Sequence, residues 1–243
     1  MKKKAKIAII IGTVMLLTLV LLANIWRHRS TVRDVRVDIE YGSADTLVRG
    51  DDVATMIKNV LPDITSIMLR NVDLRAVEDA AAQSPYLSHC QAATTIGGEV
   101  VIFAEQRHPI VRICANNKEY YLDTEGKILP LSPVGDPDII VASGNIKPKA
   151  QGANHVWQLA LYLHSHPEVG VLFDQIYRSS SGDLYLTPKI GNHVVEIGTP
   201  NNLPSKFHNL MALYTRGLPQ AGWETYSKVS VKYRDQVVCT RRQ

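Results

Sequence analysis

Apolar residues run without a charge from Ile7 to Ala23. With Asn24, Ile25 and Trp26 the run reaches about 20 residues, enough to cross a hydrocarbon core of ~30 Å. The pattern predicts a transmembrane helix over residues 7–26. Trp26 suits the headgroup level, and Arg27, His28 and Arg29 mark the return to water. The period then changes to two: Val35, Val37 and Ile39 alternate with Arg36, Asp38 and Glu40, as in a half-buried strand. Gly50-Asp51 opens a helix in which Val53, Met56, Ile57, Val60 and Leu61 share a face, and Pro62 stops it. Asp73 caps a second helix running to Gln83, with Leu74, Val77 and Ala81 on one side and Pro85 beyond it. Residues 87–95 and 99–105 are extended, and Gly97-Gly98 between them supplies the positive φ of a tight hairpin. The order β-α-α-β-β makes a small α+β unit over residues 30–106.

From residue 107 to 243 the texture is strand-rich. Residues 110–115 and 119–122 read as strands, Asp123-Thr124-Glu125-Gly126 as a turn, and residues 127–131 as the way out of it. Residues 130–137 form a Pro- and Gly-rich loop, and residues 139–142 another strand. Two helices are expected here. One, over 152–166, places Val156, Leu159, Ala160 and Leu163 on one face and ends at Pro167. The other is capped by Ser205, gathers Phe207, Leu210, Met211 and Tyr214, and ends at Gly217. Between them lie strands over 175–179, 183–187 and 193–198. Runs over 226–233 and 236–241, joined at Arg234-Asp235, close the chain. The fold class is α+β: an N-terminal membrane helix, the β-α-α-β-β unit and a strand-rich domain with two helices.

Charge fixes the orientation of the anchor. Lys2, Lys3, Lys4 and Lys6 precede the apolar run, and no acid occurs before Asp34. The positive-inside tendency keeps residues 1–6 cytoplasmic and puts the body on the far side. A cleaved leader fits less well, because a cut after Ala23 would set bulky Leu21 where a small residue is wanted. The net charge of +4 comes from that tail, and setting its lysines aside leaves basic and acidic residues equal in number. A body without a basic surplus argues against nucleic-acid binding. Cys90, Cys114 and Cys239 would face an oxidising compartment; being odd in number, they leave at least one unpaired, and each reads as a small apolar residue in a strand.

Catalytic motifs are missing: no G-x-S-x-G, H-E-x-x-H, P-loop or C-x-x-C occurs. His164 and His166 sit two apart on a helix and point different ways, so no metal site is expected. Asp123 and Glu125 read as turn residues, and Ser179-Ser180-Ser181-Gly182 as a polar loop. No enzyme activity and no cofactor are expected. The remaining feature is a terminal strand pair with a free side, which can recruit another chain by strand addition.

Several segments, in this order, resemble the FtsQ/DivIB family of bacterial cell-division proteins. Leu69-Arg70-Asn71-Val72-Asp73-Leu74, Ser84-Pro85-Tyr86-Leu87 and Gln91-Ala92 are similar to the second helix and following strand of that family's POTRA module. Residues 100–109 resemble its strand ending in Glu, a basic residue and Pro; residues 120–130 resemble its first β-domain hairpin. Val229 to Tyr233 and Gln236-Val237-Val238 resemble its terminal strands. The chain departs from the family at Lys232, where Arg is usual, and it has little after the last strand; Lys lacks the forked geometry of Arg. The resemblance implies a POTRA domain over 30–106 and a β-domain over 107–243. It implies a non-enzymatic scaffold of the septum in the inner membrane, its body periplasmic, binding FtsB-like and FtsL-like single-pass proteins. Carried over by position, the partner contact falls on Lys232, Tyr233, Arg234, Asp235, Gln236, Val237 and Val238. The alternative is a POTRA-bearing assembly factor that presents substrates to another membrane machine.

Overall fold

The computed structural model describes residues 11–21, 31–42, 45–148 and 151–243. Residues 11–21 are helical and exposed; the remainder of the expected span over 7–26 and the tail over 1–6 lie outside the described residues. Among the described residues no helix is long and apolar enough to cross a membrane. The body divides into two compact units, one closing at Gln106 and the other covering Arg107–Gln243.

The first unit is a three-stranded sheet with two helices. Strand β1 (Asp34–Glu40) pairs parallel with β3 (Glu99–Gln106), which pairs antiparallel with β2 (Leu87–Thr94), so β3 is central. Alternation explains β1: Val35 and Val37 are buried while Asp34, Arg36 and Asp38 face water. Helix α1 (Gly50–Val60) buries Val53, Ala54 and Ile57. Helix α2 (Leu74–Ala81) buries Val77, Ala80 and Ala81, and the Asp73 side chain caps it by accepting from the Ala76 N–H. Buried Gln106 is satisfied through Oε1, which accepts from the Leu47 N–H at 2.7 Å. The free edge of β2 is partly blunted by a side chain: Glu78 accepts from the outward Ala92 N–H.

The second unit is one nine-stranded sheet in the order β12-β11-β10-β9-β8-β7-β4-β5-β6. The strands are β4 (Pro109–Ala115), β5 (Lys118–Asp123), β6 (Ile128–Leu129), β7 (Ile140–Gly144), β8 (Phe173–Arg178), β9 (Leu184–Pro188), β10 (Val194–Gly198), β11 (Tyr226–Ser230) and β12 (Val238–Arg241). Three pairings are parallel, β4–β7, β7–β8 and β10–β11, and each needs a long connection. Helix α3 (Gln151–Ser165) bridges β7 to β8, and α4 (Leu203–Ala212) begins the link from β10 to β11. Their apolar residues Val156, Leu159, Leu163, Phe207 and Leu210 share one core with Ile113, Ala142, Ile176, Leu186, Val195 and Val229 of the sheet.

The expected pair of helices is present with additions. Pro167 ends α3 and also starts a short helix, Pro167–Gly170. Helix α4 starts two residues before Ser205, with Asn202 as its cap in the left-handed region and Pro204 in its first turn. Gly217 does not end it. A π-helical turn, Leu213–Gly217, leads into Leu218–Ala221, and Gly222 stops the run. Complete burial of Leu218 outweighs the roughly 1 kcal/mol that Gly costs inside a helix. The two C-terminal strands are shorter than the expected runs over 226–233 and 236–241, so residues 231–237 become a connection.

Candidate functional site

Strand β12 ends the sheet. Its one neighbour is β11, in the register Ser230↔Val238, Val229↔Cys239 and Lys228↔Thr240. The Val231 N–H donates to the Glu196 carbonyl of β10 at 2.9 Å, which turns Val229 and Val231 toward β10 and leaves Lys228 and Ser230 facing β12. Thr240 and Val238 therefore direct their main-chain groups inward, and Cys239 and Arg241 direct theirs to the open side. The Arg242 N–H, bonded inward to Thr225, keeps the same alternation.

Of the residues expected to touch a partner, Lys232 to Val237 occupy the connection before this edge and Val238 begins it. The Lys232 ammonium donates to the Asp183 carboxylate at 2.7 Å, which raises its pKa, and its stem lies across Gly198. Tyr233 is 56% exposed. Arg234 and Asp235 form a loose pair at 3.4 Å that is open to solvent, a contact of little energetic weight. Asp235 has φ +58°, the left-handed conformation that turns the chain back. Gln236 is exposed, Val237 packs partly on the core, and Val238 opens β12 with its side chain 44% exposed. The structure thus brings these seven residues to one surface.

A cleft of about 430 Å³ lies beside them, between the start of α4 and the 232–235 turn. Its floor includes Lys206, which the sequence reading passed over. Lys206 is buried, and its ammonium donates to the carbonyls of Ile197 and Thr199 at 2.8 and 2.7 Å, closing the end of β10. Burial pushes its pKa down. The signal was present: Lys206 falls on the same helical face as Leu203 and Leu210, an odd place for a cation without a buried job.

Behind the edge, Arg242 donates to the Asn192 carbonyl, and the Asn192 amide donates to Glu224. The next residue, His193, is buried, with Nε2 2.8 Å from the Tyr214 hydroxyl of the π turn. Burial pushes the His193 pKa below its ordinary value of 6.5, with Glu224 opposing and Arg242 adding to the shift. The folded chain therefore holds it neutral where the unfolded chain takes up a proton. Stability supplied by neutral His193 is whole above about pH 6.5 and is lost as pH falls from there toward the depressed value. His193→Phe should cost stability at pH ~7.5, and the gap to the parent should narrow by pH ~5 in urea unfolding. An equal gap at both pH values would show that His193 is not held neutral.

The other candidates have structural work. Asp123 Oδ1 accepts from the Glu125 and Lys127 N–H groups, and its Oδ2 takes the Arg107 guanidinium at 2.8 Å. It is a buried turn residue. Among the described residues no His, Cys, Asp and Glu cluster could hold a metal ion. Cys90, Cys114 and Cys239 are half-buried free thiols on strands, and burial raises the pKa of Cys90 and Cys239.

Residues 108–240, more than half of the chain, match the family described as FtsQ/DivIB, C-terminal related. The chain belongs to that family. The matched span runs from the start of β4 almost to the end of β12, so the 232–238 surface lies inside it. FtsQ/DivIB membership carries a role in cell division and components of the division machinery as partners. It is a family of non-enzymatic division scaffolds. No individual curated protein matches the chain.

Proposed function

We propose that this chain is a membrane-anchored scaffold of the bacterial divisome that binds an FtsB/FtsL-type complex by adding a partner strand to β12. In this reading residues 1–6 are cytoplasmic, 7–26 span the inner membrane, 30–106 form the POTRA domain and 107–243 the β-domain. The body then works in the periplasm at the septum. One observation carries the proposal: β12 ends the sheet with its outer main-chain groups directed to the open side, inside the span matched to a division family. Main-chain hydrogen bonds supply affinity in such a contact, and neighbouring side chains supply register. Exposed Tyr233 offers apolar area beside the edge, and Lys232, Arg234 and Asp235 offer charge of both signs.

The test uses the full chain and its FtsB-like and FtsL-like partners. Tyr233→Ala should weaken co-capture by roughly ten-fold, the loss typical of an exposed aromatic anchor. Undiminished capture would move the contact elsewhere. A fluorescent fusion should collect at the division site; an even envelope signal at every stage of the cell cycle would sink the division reading itself.

A further inference from the structure

We infer that one pole of the first unit, built from the 95–98 hairpin tip and Met68, rests in the headgroup layer of the membrane. The inference depends on the anchor reading given above and adds a lipid contact to it.

The pole is defined by where the chain comes into the unit. Thr31 bridges Met68, the Val32 N–H donates to the Ile67 carbonyl, and the Arg33 N–H donates to the Gly98 carbonyl at 2.8 Å. The first described residues after the anchor region are thus flanked on one side by Met68 and on the other by the hairpin tip. From Trp26 to Thr31 there are five peptide links, which span at most about 18 Å. A helix leaving the bilayer at Trp26 must therefore hold this pole close to the membrane surface, whatever path the connection takes.

The side chains there suit that place. Ile96 is 90% exposed, more than any other exposed large hydrophobic residue described in the chain. Met68 is exposed as well. A single exposed isoleucine needs no explanation on an ordinary surface. Here it stands at the tip of a hairpin on one side of the tether, with a second exposed apolar side chain, Met68, on the other. Arg33 lays its stem across Gly98 and is exposed, and Arg70 follows Met68 by two residues on an exposed turn. Apolar tips dipping below the phosphates with arginines at phosphate level is how interfacial segments bind lipid. The acids nearest the tip do not oppose it strongly. Asp34 is paired with Lys58 at 2.7 Å, and Glu99 lies opposite Asp34 on the neighbouring strand.

The test places a reporter at the tip of the full-length chain, reconstituted in vesicles of phosphatidylcholine and phosphatidylglycerol with brominated acyl chains. Ile96→Trp is compared with Phe103→Trp, an exposed position on β3, the strand that leaves this hairpin, about 17 Å from Gly98. Emission of the native tryptophans is subtracted using the parent chain. The tryptophan at 96 should lose roughly half of its emission to bromine while that at 103 keeps its own. Equal quenching at the two positions would overturn the contact. An alkaline carbonate wash separates the two ideas. A chain that stays in the vesicles with position 96 unquenched loses only the lipid contact; a chain that washes out loses the anchor, and the contact with it.

Discussion

Cys239→Pro should weaken capture of an FtsB-type partner by roughly thirty-fold or more while β12 stays paired to β11. The Cys239 N–H points to the open side of the edge, so proline there removes no bond from the existing ladder. It does remove a donor that an added strand needs, and the ring crowds the approaching chain. One lost main-chain bond with its acceptor left unpaired, plus the clash, amounts to about 2–3 kcal/mol. Cys239→Ala keeps the N–H and should bind like the parent. Titration calorimetry with the partner, alongside circular dichroism for the fold, reads both. Parent-like affinity in a folded proline variant would mean that the partner does not add to this edge.

The second large effect is on stability. Gly144→Ala should destabilise the second unit by about 3–5 kcal/mol, lowering its melting temperature by roughly 10 °C or more. Gly144 ends β7 with φ +101°, a conformation that costs any other residue strain. A Cβ built there would stand 2.2 Å from the Arg178 carbonyl oxygen of β8 and 2.9 Å from the Tyr177 ring. The carbonyl cannot retreat, because it accepts the Asn145 N–H at 2.9 Å inside a sheet paired on both sides. Gly97→Ala provides the contrast: it has no positive φ, only the Thr95 hydroxyl lies within reach of its Cβ, and it should melt within a few degrees of the parent. A Gly144→Ala melt close to the parent's would mean that the β7–β8 approach is looser than described.

Local chemistry was legible wherever it decided the outcome. Val35 and Val37 marked β1 by alternation, and Asp73 marked the start of α2 by its capping oxygen. At α4 two local signals competed: Ser205 has the right side chain for a cap, yet Pro204 fits only inside a first turn, and the proline prevailed. Gly217 failed as a stop because Leu218 beyond it had a core to enter. Hairpin neighbours such as β2–β3 and β11–β12 were legible, but the parallel crossovers were not. β7 lies between β4 and β8, and β11 lies parallel to β10, through contacts among residues far apart in sequence that leave no local pattern. For the candidate site, a terminal strand pair marked the edge, but which groups face outward depends on the β10–β11 register. Lys206 was visible as a cation on an apolar face; its acceptors, on the preceding strand, were not.

An open β12 also has a cost in copy number. The edge is complementary to itself, since two copies related by a two-fold axis can pair their β12 strands antiparallel. Confinement to one membrane would raise the local concentration of each copy for the next as much as for the intended partner. Expression balance then becomes part of the fold's safety: a cell making this chain in excess of its partners leaves edges to find one another.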